Sequence, residues 1–157
     1  DYGHLFQGEV ETVGMAKDVA SLAMDITEFL ATLDLDFENF ESHLRVAYHS
    51  ACSLQHGQKI KSTPAELLGK AGFEVLPIPE SHICCGSAGT YNLLQPELSG
   101  RLKSRKVKNI SSVFPDVVAA GNIGCIAQIA SGMDAPVIHT VELLDWASGG
   151  PKPTEIS

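Results

Sequence analysis

Four cysteines carry the most distinctive chemistry in this 157-residue chain, and two of them are adjacent, in Cys84-Cys85-Gly86. Thirty-one residues separate Cys52 from Cys84, and thirty-nine separate Cys85 from Cys125. In an extended segment successive side chains point to opposite faces, so Cys84 and Cys85 cannot easily bond one another or ligate as a compact CxxC pair. On a tight turn closed by glycine, both sulfurs can instead be directed at one locus. Soft thiolates gathered around one point suit an iron–sulfur cluster or zinc. Buried inert thiols and redox disulfide chemistry are the competing readings. Four cysteines spread over this length are too sparse for a disulfide-stapled secreted scaffold.

Each thiol sits where small, turn-forming residues follow an apolar run. Cys52 ends Val46-Ala47-Tyr48-His49-Ser50-Ala51-Cys52, and Cys125 follows Val117-Val118-Ala119-Ala120-Gly121-Asn122-Ile123-Gly124. The pair precedes a glycine-rich stretch, Gly86-Ser87-Ala88-Gly89, that leads into a predicted helix. Three strand-to-helix junctions therefore carry all four cysteines. In an open parallel sheet such junctions share the edge beyond the carboxyl ends of the strands, where ligands bind. His49 could ligate, hydrogen-bond a thiolate or cap its strand. His82 reads as solvent-exposed, and His56 and His139 as structural. The Gly86–Gly89 stretch lacks the lysine of a P-loop and the full GxGxxG pattern, which disfavours a nucleotide site. No Ser–His–Asp order is recognisable.

The elements that would position these residues alternate. An amphipathic helical period runs over residues 13–33. Leu44–His49 reads as a strand and Pro64–Ala71 as a helix with proline in its first turn. Phe73–Ile78 is a strand, Thr90–Leu94 and Pro96–Ile110 are helical, and Val117–Ala120 is a strand. A helix over 123–131, a strand Val137–His139 and a helix Val141–Trp146 follow. This β-α repetition predicts an α/β fold: a parallel sheet with helices on both faces, in a Rossmann-like three-layer arrangement, with the cysteines at strand-to-helix loops. The Gly149–Pro153 stretch reads as a flexible tail over 149–157.

Length fits one core, and no apolar run reaches the roughly twenty residues of a membrane helix. Residues 1–43 hold ten acidic side chains against Lys17 alone, while the rest of the chain is close to neutral, within a formal net charge of −8. This region reads as an exposed helix face with its loop, or as a docking arm. Arg101, Lys103, Arg105, Lys106 and Lys108 alternate with apolar residues and read as a solvated helix face. The acidic balance and few aromatics disfavour nucleic acid.

The motifs together resemble the cysteine-rich CCG domain family: a cysteine, a spacer, Cys-Cys-Gly, a second spacer and a final Cys-x-x-Cys. The phrases Ala47–Gln58, Cys84–Pro96, Gly121–Ile129 and Val137–Ala147 resemble the iron–sulfur subunits of glycolate oxidase (glycolate dehydrogenase) in particular. Lactate-utilisation proteins and heterodisulfide reductases share the pattern. The resemblance implies an acidic helical segment over 1–43 that is the tail of a preceding domain copy, a CCG domain over 44–148, and a longer parent subunit. It implies that Cys52, Cys84, Cys85 and Cys125 bind the cofactor, an iron–sulfur cluster of 4Fe-4S type with zinc as the alternative. His49, Gly86 and Asn122 would support them. It further implies a cytoplasmic electron-transfer subunit, not itself catalytic, of a complex oxidising glycolate to glyoxylate. Its partners would be a flavin-containing dehydrogenase subunit and a quinone-linked acceptor at the inner membrane. Asn122 stands where the five-cysteine relatives have the first cysteine of the final motif, which leaves four thiols and opens the question of cluster type.

Overall fold

The computed structural model describes residues 2–8, 11–37 and 40–156. Its centre is a four-stranded, wholly parallel sheet of β1 (Arg45–His49), β2 (Glu74–Leu76), β3 (Val117–Ala120) and β4 (Val137–His139), in the order β2-β1-β3-β4. Val46 pairs with Val75 on one side and Val117 on the other, and Ala119 pairs with Ile138. All four residues of β3 are buried, as a strand covered on both faces requires. The helices are α1 (Tyr2–Leu5), α2 (Val13–Leu22), α3 (Ile26–Ala31), α4 (Thr63–Lys70), α5 (Tyr91–Leu94), α6 (Pro96–Ser111), α7 (Ile123–Ala130) and α8 (Thr140–Ala147).

Side-chain alternation divides the core in two. Val46, Val117 and Ala119 face a cluster with Leu67 and Leu68 of α4 and Leu143 and Leu144 of α8. Ala47 and Val118 face the opposite cluster, with Ile110 of α6 and Ile129 of α7. Helices therefore cover both faces, as the alternation of elements predicts. Arg45 secures the entry to the sheet: its backbone N–H donates to Asp116 Oδ2 at 2.7 Å, and its guanidinium donates to the carbonyls of Phe114 and Val113.

Most expected elements are present, with informative exceptions. The helix expected over 13–33 is two helices, α2 and α3, broken at Ala23–Asp25. Asp25 caps α3 by accepting from Thr27 N–H, and Glu28 accepts from Asp25 N–H, a reciprocal capping box that starts a new helix. Much of the apolar stripe, including Met15, Val19 and Leu22, remains exposed. β2 is shorter than expected because Pro77 lacks the N–H a continuing ladder needs. A π-helical turn over Ser53–Gln58 has no counterpart among the expected elements; it begins immediately after Cys52 and ends at Lys59 with φ of 64°. The final residues, expected as a flexible tail, lie partly against the core instead: Pro153 is buried, Ile156 packs against the α4/α8 cluster, and Lys152 Nζ sits 5.9 Å from the Trp146 ring centroid. Phe40 ties the acidic segment to the same cluster, with its ring 5.1 Å from Phe73 and 4.9 Å from Trp146. Among the described residues no helix is long and apolar enough to cross a membrane.

Candidate metal centre

The chain leaves β1 toward β2 on one side, then returns across β1 to build β3 and β4 on the other. That reversal opens a crevice at the carboxyl edge between β1 and β3, the expected place for a ligand in such sheets. Cys52 follows β1, Cys84 and Cys85 lie in the loop after β2, and Cys125 is in the first turn of α7 after β3. All four line one cleft of about 460 Å³, together with Ser87, Asn122 and Gly124. Cys85 and Cys125 are buried and Cys52 and Cys84 half-buried, all as free thiols. The convergence expected from the three strand-to-helix junctions is thus realised in the fold.

Local backbone chemistry directs the adjacent pair. Gly86 has φ of +93°, and a Cβ there would lie 2.5 Å from the Ser99 carbonyl oxygen. Only glycine gives this turn both its left-handed backbone and its close approach to α6. Gly86 N–H donates to Cys84 Sγ at 3.3 Å, and the Ser87 backbone helps to lower the pKa of Cys85. Behind the turn, Gln128 Nε2 donates to Ser99 Oγ, which donates to the Gly86 carbonyl, both at 2.9 Å. The glycine-rich stretch therefore turns a backbone N–H onto sulfur.

The thiols fall into two interacting pairs. Cys85 has its pKa held well below the ordinary thiol value, first by the hydrogen bond from Cys125, then by His49 and the Ser87 N–H. Cys125 is pushed up correspondingly by that same hydrogen bond and by burial. The opposite directions mean that the pair gives up a first proton far more readily than a second. Burial, then the neighbouring Cys84, pushes Cys52 up to about 11. A metal bound here would displace the remaining protons, so binding couples to pH.

His49 is 1 % exposed, and neither ring nitrogen makes a hydrogen bond of standard geometry. One of its ring nitrogens and the sulfurs of Cys85 and Cys125 all lie within 4.8 Å of one another. An unsatisfied buried imidazole beside two thiols fits a site that binds a group not made of protein. Asn122 lines the cleft, and its Oδ1 accepts from Cys125 N–H at 3.2 Å and so caps α7. His139 caps α8 through Nδ1 and Val141 N–H. His56 and His82 are exposed and do not line the cleft.

The basic stretch on α6 departs from expectation. Lys106, expected on a solvated face, is fully buried. With Ser99 and Ile110 it forms the inward stripe of the helix, and these positions have helical spacing. Its Nζ donates to the carbonyls of Glu80 and Ser81, at 3.2 and 3.1 Å. Arg105 and Asn109 grip the Glu80 carboxylate from the same helix. Three residues of α6 therefore clamp the loop that carries the cysteine pair. Glu80 itself is held down to about 2 by Arg105 and then Asn109, from an ordinary 4.5. A depressed carboxylate contributes stability that is complete above its unfolded pKa and is lost as pH falls through the folded value. Melting temperatures should therefore fall more steeply for the metal-free parent than for Glu80→Gln between about pH 4.5 and 2; parallel curves would show that the clamp carries no weight.

The doubly covered parallel sheet and its edge of thiols define a cysteine-rich domain. The chain belongs to the family of the CCG cysteine-rich domain, whose profile matches residues 46–130. It is similar to the glycolate oxidase iron-sulfur subunit of Escherichia coli, with 33% identity over 147 residues that cover 94% of this chain and 36% of that protein. It is also similar to lactate utilization protein A of Oceanobacillus iheyensis, with 29% identity over 153 residues, 92% of this chain and 62% of the relative. Lactate utilization protein A of Anoxybacillus flavithermus is likewise 29% identical, over 92% of this chain and 64% of its own length. The chain thus spans between about a third and two thirds of the curated relatives it matches.

Proposed function

We propose that Cys52, Cys84, Cys85 and Cys125 hold an iron–sulfur cluster of 4Fe-4S type, and that the chain is the electron-transfer part of a flavin-linked dehydrogenase that oxidises glycolate to glyoxylate. The observation that carries this reading is the convergence of four free thiols on one cleft, with a backbone N–H already donating to the Cys84 sulfur. The donor set is soft and wholly suited to iron–sulfur ligation. A cluster bound there supplies one-electron redox chemistry at a potential that hydrogen bonds and exposure adjust. The protein's own contributions are specific. Gly86 donates its N–H to the Cys84 sulfur and leaves room at the turn, and the buried sheet edge keeps water from Cys85 and Cys125. Cys52 and Cys84, half-buried, form the side open to an electron donor.

The names of the similar proteins support both an iron–sulfur role and 2-hydroxy acid metabolism. The domain reading divides the parent subunit into a preceding copy that ends near residue 43 and this CCG domain over 44–148. A flavin-bearing subunit would deliver electrons, and a quinone-linked acceptor would take them at the cytoplasmic face of the inner membrane. A second reading rests on the group His49, Cys85 and Cys125. These three could bind zinc with an open fourth position. Four-thiolate zinc fits less well, because Zn–S bonds of about 2.3 Å bring all four sulfurs close around one ion. Here the atoms that close to within 4.8 Å include only two of the thiols.

Anaerobic addition of glycolate or lactate to the co-purified complex tests the functional assignment. Bleaching of the visible absorbance by glycolate is the expected result. Bleaching by lactate alone would move the assignment to lactate utilisation. Bleaching by dithionite but by neither acid would overturn the dehydrogenase role.

A further inference from the structure

Lys106 has a feature that a loop clamp alone does not require. It is the largest of the fully buried side chains, and lysine is almost never fully buried unless paired. Among the described residues no carboxylate forms an ion pair with it; its two hydrogen bonds go to backbone carbonyls. Burial pulls its pKa down, and the nearby thiols Cys85, Cys52 and Cys84, followed by Glu80, oppose that fall. Burying an ammonium group among neutral partners is unfavourable, whereas facing several thiolates across a low-dielectric interior offsets that cost. Glutamine or methionine could fill much of the same space on α6 without the desolvation cost of a charge.

We propose that Lys106 is the buried countercharge of the cysteine centre: a positioning residue that holds the Cys84-Cys85 loop through Glu80 and Ser81 and offsets the negative charge of the assembled thiolates. This rests on the thiols being the metal ligands. Two consequences follow from its charge. A bound cluster is easier to reduce than it would be beside a neutral residue, because reduction adds negative charge near the ammonium. Any divalent metal on the thiolates is held more tightly, because the anionic complex it forms is partly neutralised.

Three variants separate charge from packing. Lys106→Met removes charge and donors, Lys106→Gln removes charge but keeps a donor for the loop, and Lys106→Arg keeps charge. The first readout is the midpoint potential of the loaded protein. Both neutral variants should shift to more negative potential by about tenfold in the reduced-to-oxidised ratio, or ~59 mV for a one-electron couple, while Lys106→Arg stays near the parent. The second readout is Co²⁺ affinity of the metal-free protein, followed by thiolate-to-cobalt absorbance. It should weaken about tenfold in the neutral variants and not in Lys106→Arg. Folded neutral variants with parental potential and parental Co²⁺ affinity would overturn the proposal. So would an Arg variant that behaves like the neutral ones, since packing alone would then explain the effect. If the parent binds no iron, the cluster reading fails, and the Co²⁺ comparison still decides whether Lys106 acts as a countercharge.

Discussion

Cys85→Ser should reduce bound iron and acid-labile sulfide to background and remove visible absorbance, while the far-ultraviolet spectrum stays that of the parent. Cys85 is the most deeply placed of the four thiols, 1 % exposed, and the one already favoured as thiolate through its hydrogen bond from Cys125. Serine is a harder, far less acidic donor and does not replace a thiolate toward iron. The fold should survive, since serine is slightly smaller than cysteine; burial of its hydroxyl costs about 1–3 kcal/mol where no partner is found. Iron analysis together with a thermal melt checks both halves. Parental iron content in a folded Cys85→Ser protein would remove this residue from the ligand set.

The second large effect is at Gly86. An alanine there must adopt φ of +93° and place its methyl 2.5 Å from the Ser99 carbonyl oxygen, with Leu102 Cβ and Gln128 Nε2 each at 3.3 Å. The left-handed backbone costs roughly 1–2 kcal/mol, and overpacking against a helix backbone adds about 1–3 kcal/mol. Together, about 2–5 kcal/mol is a large part of the 5–15 kcal/mol typical of a domain. If the loop shifts to relieve the clash, both sulfurs move with it and the N–H donation to Cys84 is lost. Gly86→Ala should therefore lower both stability in urea and metal occupancy. Gly89 is the matched control: its φ is +64°, yet a Cβ there meets nothing within 4 Å. Gly89→Ala should carry the backbone cost alone, about 1–2 kcal/mol of stability. Equal effects at both positions would show that backbone strain, and not the contact with α6, dominates at the turn.

The parts of the fold legible in the sequence are those that depend on one strong local signal. β3 and β4 are contiguous apolar runs, and α4 and α6 open on prolines whose missing N–H costs nothing in a first turn. The location of the thiols after successive strands is enough to bring them to one edge, because parallel connection puts every strand's carboxyl end on the same side. Legibility fails where two local signals compete. The apolar period across residues 13–33 is continuous, but Asp25-Ile26-Thr27-Glu28 contains a capping box that ends one helix and begins another. The turn after Cys52 contains Gly57 and an exposed polar run that look like loop, yet Leu54 is anchored in the core and winds the segment into a π turn. Lys106 is deceptive because charge normally marks the outer face of a helix. The clue is positional, since Ser99, Lys106 and Ile110 share one side of α6. Asn122 invites a role beside the metal; its place immediately before α7 is the sign of a cap. The docking of Ile156 against the core depends on contacts far apart in the chain, which composition does not encode.

Every role assigned to the cleft depends on the nature of the group held by Cys52, Cys84, Cys85 and Cys125. Iron, sulfide and zinc analysis of anaerobically prepared protein, with its visible spectrum, addresses this most directly. The predicted result is brown protein with about four irons and a matching amount of sulfide per chain, all lost on chelation or acid treatment. Colourless protein with one zinc per chain, and no iron taken up on reconstitution with iron and sulfide, would contradict it.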